Sequence, residues 1–347
     1  MRIAIVNNAA PFTFGGAEFL AENLKKELSR RGHPAIVVRI PFQWEPCQSI
    51  PEQILACRFL HLGDDYFDRV IALKFPAYFV PHRDKVLWLL HQFRQAYDLW
   101  GTPYQGIPDT SEGRAIRAAI MQADNTYLAE AKRIFTNNGV VSRRLKRFNG
   151  LDSEVLYPPL MDAELYHCAG YGDFLFYPSR ISDGKRQVLA LEALRHCRSG
   201  VKLVIAGRPD NDAALARCEA SVRACGVGDR VEIRSTFITQ AEKADLLARC
   251  LGAVYIPYDE DSYGYVSLEA YHARKPVITC TDSGGALDVV RDGETGLVTA
   301  AEPVVLAAAM DRLYEDRAEA QRLGQAGFEL IQTLDISWDR VVARLTA

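Results

Sequence analysis

Asp261 and Glu269 lie eight positions apart in DSYGYVSLE, with one glycine and two tyrosines between them. With Glu269 in the second turn of a helix entered near Gly264, and Asp261 in the preceding loop, the loop can fold Asp261 back over a site. One carboxylate then accepts two hydroxyls from one part of a ligand while the other reaches a second part. PSRISDGK (178–185) sets Arg180 and Lys185 five positions apart between an apolar run and a helix start. Two cations beside a helix N-terminus suit a diphosphate. CTDSGGALD (280–288) offers the amides of Gly284 and Gly285 to an anion, with Asp282 or Ser283 as a cap. In PFTFGGAE (11–18), Gly15 and Gly16 permit close backbone approach to a ligand, without the G-x-G-x-x-G spacing of a dinucleotide fingerprint. His91 directly follows KVLWLL, and Arg94, Tyr97 and Trp100 beside it suit a sugar-lined wall. Taken singly, each stretch also reads as ordinary structure: a solvated loop, a capping turn, or a satisfied polar residue at a strand end.

The elements that must position these residues alternate short apolar runs with longer amphipathic stretches, the pattern of α/β architecture with parallel sheets. Strands are expected at 2–6, 35–40, 69–73, 85–90 and 133–136, with helices over 17–31, 111–131 and 140–148. YPPLMDAELYHCAGYGD (157–173) breaks the periodicity and reads as a linker. The series restarts with strands at 174–177, 202–206, 231–233, 253–257 and 277–280. Helices fit at 184–197, 211–225, 239–250, 264–273 and 284–291, and the last 45 residues are helical in pattern, with Trp338 as a docking residue. In open parallel sheets ligands bind beyond the carboxyl ends of strands, and each candidate loop above follows a strand.

The 347 residues suit two domains of about 150 each. Hydrophobic content of 48% and charged content of 24% are those of a globular chain. A net charge of −3 implies no general attraction to nucleic acid or anionic membrane. The five-residue apolar run of MRIAIVNNAAPF is short for a secretory signal, and no apolar stretch approaches the ~20 residues that span a bilayer. Eight cysteines without a C-x-x-C pair read as free thiols in a reducing cytoplasm.

GGAE, PSRISDGK, LVIAG (203–207) and YGYVSLEAYHARKPVITCTDSGGALDVVRDGETGLV, in that order, resemble the retaining glycosyltransferases of family 4 over nearly the whole chain, most densely from 174 to 299. The resemblance implies an α/β GT-B fold in which two Rossmann-like domains face each other across a cleft. Residues 1–162 would be the acceptor side, 170–330 the nucleotide-sugar side, and 331–347 a terminal helix packed on the first domain. Glu269 would hold the ribose hydroxyls, Asp261 the donor sugar, and Arg180 and Lys185 the diphosphate. His91 would touch the donor sugar, and Gly15 and Gly16 would border the phosphates and acceptor. Gly264, Tyr265, Val266, Gly284, Gly285 and Ala286 would complete the donor cradle, with Arg94, Tyr97 and Trp100 on the acceptor. No metal or other cofactor is implied. The product would be a polysaccharide or another glycoconjugate, made from a glycan or lipid-linked acceptor in the cytoplasm or at the inner membrane face.

The first acid of the family's motif is usually glutamate, and Asp261 is one methylene shorter, so its carboxylate sits about 1–1.5 Å further back. Donor identity is what this shift puts in question. Three other readings stay open. DED (259–261) invites the metal-binding D-x-D of the other major glycosyltransferase fold, which belongs to a single-domain context. A sugar-nucleotide 2-epimerase shares the two-domain fold but lacks the YGYVSLEA type of segment. A non-catalytic sugar-nucleotide-binding partner is supported only by Asp261. The basic helix VSRRLKRF, with Arg143, Arg144, Lys146 and Arg147, suits either anionic lipid or solvent.

Overall fold

The computed structural model describes residues 1–9 and 15–347. The chain divides into two compact units, residues 1–159 with 336–347, and residues 160–335. Each unit is built on one six-stranded, wholly parallel sheet.

The first sheet comprises β1 (Ile3–Ala9), β2 (Ala35–Pro41), β3 (Arg69–Ala72), β4 (Lys85–Leu89), β5 (Arg133–Thr136) and β6 (Glu154–Val155), in the order β2-β1-β3-β4-β5-β6. Its central strands are β-branched and apolar because helices cover both faces; Ile3, Ala4, Ile5 and Val6 are wholly buried. The helices are α1 (Gly16–Arg30), α2 (Ile50–Phe59), α3 (Ser111–Tyr127) and α4 (Gly139–Asn149). Leu20, Leu24 and Leu28 of α1 point inward at helical spacing, while Phe19 turns out to solvent. Asn138 caps α4 by accepting from the Val141 N–H at 2.9 Å, and Gly150 ends it in the left-handed region. On the basic face of α4, Arg144 pairs with Asp98 and Lys146 with Asp152.

The second sheet comprises β7 (Phe174–Pro178), β8 (Lys202–Ala206), β9 (Val231–Arg234), β10 (Gly252–Val254), β11 (Val277–Cys280) and β12 (Gly296–Thr299), in the order β12-β11-β10-β7-β8-β9. Helices α5 (Gln187–His196), α6 (Asp212–Cys225), α7 (Gln240–Arg249), α8 (Tyr265–His272), α9 (Pro303–Glu315) and α10 (Arg317–Thr333) surround it. The last helix, α11 (Trp338–Thr346), belongs to the first unit. Trp338 meets Trp88 of β4 edge-to-face with centroids 6.4 Å apart, and Arg69 donates to the carbonyls of Leu345 and Ala347 at 2.8 Å. A buried aromatic pair and a guanidinium on the carbonyls of the helix end hold the segment at two points.

Several boundaries differ from the sequence reading. Strand β10 ends at Val254 rather than running to 257, with the Tyr255 N–H making a last bond to the Ile278 carbonyl at 2.9 Å. The helix expected over 284–291 is a short 3-10 turn, Gly284–Asp288. The helix expected from 184 starts at Gln187, because Asp183–Lys185 form a 3-10 turn and Arg186 is left-handed at φ 57°. Helix α2 and the short strands β6 and β12 carried too little periodicity to be read.

Candidate functional site

In the second sheet the chain runs from β7 outward to β8 and β9 on one side, and from β10 outward to β11 and β12 on the other. The strand order reverses between β7 and β10, and it is at such a switch point that open α/β sheets bind ligands. Three of the four donor-side loops singled out in the sequence follow neighbouring strands there: 179–186 after β7, 255–264 after β10, and 281–285 after β11.

These loops are stitched to one another through their backbones. The Tyr258 N–H donates to the Gly184 carbonyl at 2.8 Å, the Asp259 N–H to the Asp282 carbonyl at 2.8 Å, and the Gly285 N–H to the Glu260 carbonyl at 2.7 Å. The last bond engages an amide that the sequence reading offered to an anion, so Gly285 serves loop–loop contact. Gly284 is required by that contact: its φ is +63°, and a Cβ would lie 2.3 Å from the Glu260 carbonyl oxygen. Gly264 is required too. It enters α8 at φ +73°, where a Cβ would stand 2.2 Å from the Tyr255 ring. Ala286 is fully buried behind this turn.

Lys185 lies at the centre, its ammonium shared between the Glu260 carboxylate and the Tyr255 hydroxyl at 3.4 Å. Glu260, next to Asp261, is therefore the charge partner of the lysine. Arg180 is two-thirds exposed and pairs with Asp210 at 2.6 Å. Asp261 and Glu269 are both buried, at 8% and 4% exposure. Carboxylates are seldom so enclosed without partners. Glu269, in the second turn of α8, accepts from Lys243 of α7 at 2.5 Å. Burial, with the Glu269 carboxylate beside it, pushes the Tyr166 phenol far above its ordinary pKa. Tyr265 and Val266 occupy the first turn of α8, and burial pushes the Tyr265 phenol up as well. Lys243 and Tyr166 were not found in the sequence; neither falls in a strand-end loop, and no spacing ties them to Glu269.

The first sheet reverses order between β1 and β3. Residues 10–14, which open the first glycine loop, lie outside the described residues. Gly15 and Gly16 are described: the Gly15 N–H donates to the Glu18 carboxylate at 2.9 Å, Gly16 starts α1, and Lys74 after β3 holds the other Glu18 oxygen at 3.3 Å. His91 follows β4. Its Nδ1–H donates to the Gln92 carbonyl at 2.6 Å, which leaves Nε2 as the acceptor nitrogen. Burial, with Lys74 and Arg94 nearby, pushes its pKa down to about 4, so the ring is neutral at neutral pH.

The proposed aromatic wall next to His91 is taken up within this unit. Tyr97 is buried, and its hydroxyl donates to Asp124 at 2.7 Å. Arg94 pairs with Asp98 at 2.6 Å, and the Arg117 guanidinium lies 4.8 Å from the Trp100 ring centroid.

Two doubly wound parallel sheets, the second with cations and buried acids gathered at its switch point, define the class: a glycosyltransferase of GT-B fold. Residues 171–330, which lie within the second unit, match the family model for glycosyl transferases group 1. It is 26% identical over 314 residues to the alpha-1,3/1,6-mannosyltransferase ALG2 of Homo sapiens, covering 81% of this chain and 73% of that protein. It is 24% identical over 299 residues to a D-inositol 3-phosphate glycosyltransferase of Corynebacterium diphtheriae, covering 75% of this chain and 66% of that protein. Among solved structures, a sucrose-phosphate synthase from Thermosynechococcus elongatus superposes with a TM-score of 0.79 at 17% identity, covering 100% of this chain and 98% of that one. Anabaena Alr3699/HepE in complex with UDP and glucose superposes at 0.75 with 16% identity, covering 100% and 99%. At such identities the structural likeness speaks for the fold. No helix among the described residues is long and apolar enough to cross a membrane.

Proposed function

We propose that the chain is a retaining, metal-independent glycosyltransferase of family 4, moving a hexose from a nucleotide-diphosphate sugar to a hydroxyl of a glycan or lipid-linked acceptor. Polysaccharide or glycoconjugate synthesis in the cytoplasm is the setting this reading implies. The observation that carries it is that Lys185 and Asp261 lie on interlocked loops at the switch point of the second sheet, the second of which leads into α8 and its buried Glu269. A diphosphate bound there would take the Lys185 ammonium over from Glu260, so that charge developing on the leaving group meets a cation already in place. Arg180, exposed beside it, would give a second cation. Glu269, its carboxylate held by Lys243, would accept the two ribose hydroxyls, and Asp261 the hydroxyls of the sugar. His91, neutral and with Nε2 as acceptor, would take one sugar hydroxyl.

In this reading the leaving phosphate deprotonates the acceptor on the face it departs from, through an oxocarbenium-like state, and no enzyme nucleophile is needed. The named ligands of the Anabaena protein, UDP and glucose, and the sugar-transfer names of the other relatives support a nucleotide-sugar donor. The test is a transfer reaction followed by proton NMR of the anomeric signals. Retention predicts that the first product formed carries the donor's anomeric configuration; an inverted first product overturns the mechanism.

A further inference from the structure

Arg186 holds a backbone conformation that its side chain resists. It is one of four non-glycine residues at positive φ among the described residues, and Asp259, in the neighbouring loop, is another. Left-handed backbone at a long side chain persists only where surrounding contacts enforce it, and such strain gathers at functional sites. The contacts are all visible. The Arg186 Nε donates to the Ile256 carbonyl at 2.7 Å, and one terminal nitrogen donates to the Pro257 carbonyl at 2.9 Å. Both terminal nitrogens grip the Asp282 carboxylate, at 2.7 and 2.8 Å. The guanidinium side chain is only 14% exposed, and the Asp282 pair raises its pKa further against the burial that opposes it.

We propose that Arg186 is a positioning residue for the donor site, a clamp that locks the three switch-point loops into one rigid cradle. Its backbone ends the loop that carries Lys185, its side chain fixes the loop that leads to Glu260 and Asp261, and its ion pair fixes the loop of Gly284. A planar fork with five donors is the one side chain able to serve two carbonyls and a carboxylate together. This inference rests on the second unit being the nucleotide-sugar side.

Arg186→Gly makes a direct test, because glycine accepts φ 57° without strain while the side chain and its guanidinium are removed. UDP, GDP and ADP are each titrated into wild type by calorimetry, and the tightest is carried forward. Arg186→Gly is expected to melt cooperatively within a few degrees of wild type yet to bind that nucleotide about 10–100-fold more weakly, the scale on which misplaced binding groups act. Acceptor-free hydrolysis of the matching nucleotide sugar should lose kcat as well as donor affinity. Asp282→Asn should weaken binding in the same direction, and the double variant should lose no more than the worse single one. Arg186→Gly binding within twofold of wild type overturns the clamp alone. Wild type binding none of the three nucleotides overturns both the clamp and the donor assignment beneath it.

Discussion

The carboxyl edges of the two sheets are chemically unlike. The second carries Lys185, Arg186, Arg180, Glu260 and Asp261 on loops bonded to each other by backbone and side chain. At the first, the amides Asn7, Asn8, Gln92, Asn137 and Asn138 stand beside the Lys74–Glu18 and Arg94–Asp98 pairs. The buried oxygens of Asn7, Thr136 and Asn137 have no hydrogen-bond partner among the described residues. Charge held rigidly at one switch point suits a diphosphate, whose binding demands fixed cations. Neutral acceptors at the other suit hydroxyl donors, which need no countercharge. A wholly buried carboxylate of the first unit stands in its core instead, where Asp124 accepts from Tyr78 and Tyr97 at 2.7 Å each.

Deleting charge from the second edge should have the largest effect. Lys185→Ala and Glu269→Ala are each expected to lower transfer by about 100-fold or more, the scale of losing one preorganised electrostatic contact. Circular dichroism and a cooperative melt should remain those of wild type; unchanged turnover would remove both residues from the site. A smaller effect is expected from Asp261→Glu, which restores the methylene. It should change the ratio of kcat/KM between two nucleotide sugars by roughly tenfold, as one methylene in a specificity pocket does. An unaltered ratio would place donor choice elsewhere.

How far the contrast was legible depended on whether a residue acts through its own strand-end loop. Lys185, Asp261 and Glu269 stood out because each lies on a loop after a β-strand or in the helix such a loop enters, and the alternation of elements could be read from apolar runs. The Gly284 turn was placed correctly, but its length was not, since a 3-10 turn and a helix begin with the same capping residues. Lys243 reaches Glu269 from another helix, 26 positions away, and no spacing records that. Arg186 lay in plain view beside Lys185, but only its φ and its partners distinguish it from a solvated cation. Tyr97 is a related case: an aromatic residue after a strand looks the same whether it lines a site or, as here, donates to a buried aspartate on the helix that follows.

The last expected effect lies on the first unit and concerns stability rather than turnover. Burial pushes the Asp124 carboxyl from its ordinary 3.8 up to about 7. The folded state therefore holds a proton that the unfolded chain has released. The stability this contributes is fully present below 3.8 and is lost as pH rises through about 7. Urea unfolding at pH 5 and pH 8 should show wild type losing on the order of 2 kcal/mol more than Asp124→Asn over that interval. Equal losses would mean that the aspartate is already ionised at pH 5.

The most direct test of the central claim, that the second unit grips a nucleotide diphosphate with its own cations, is a thermal-shift panel. UDP, GDP, ADP and their sugar conjugates would be added to wild type and to Lys185→Ala, each with EDTA and again with magnesium. Ligand bound only by the folded state raises the melting temperature by mass action. At least one nucleotide is expected to stabilise wild type equally in EDTA and in magnesium, and Lys185→Ala to abolish the shift. Stabilisation that appears only with magnesium, or survives intact in Lys185→Ala, would contradict the claim.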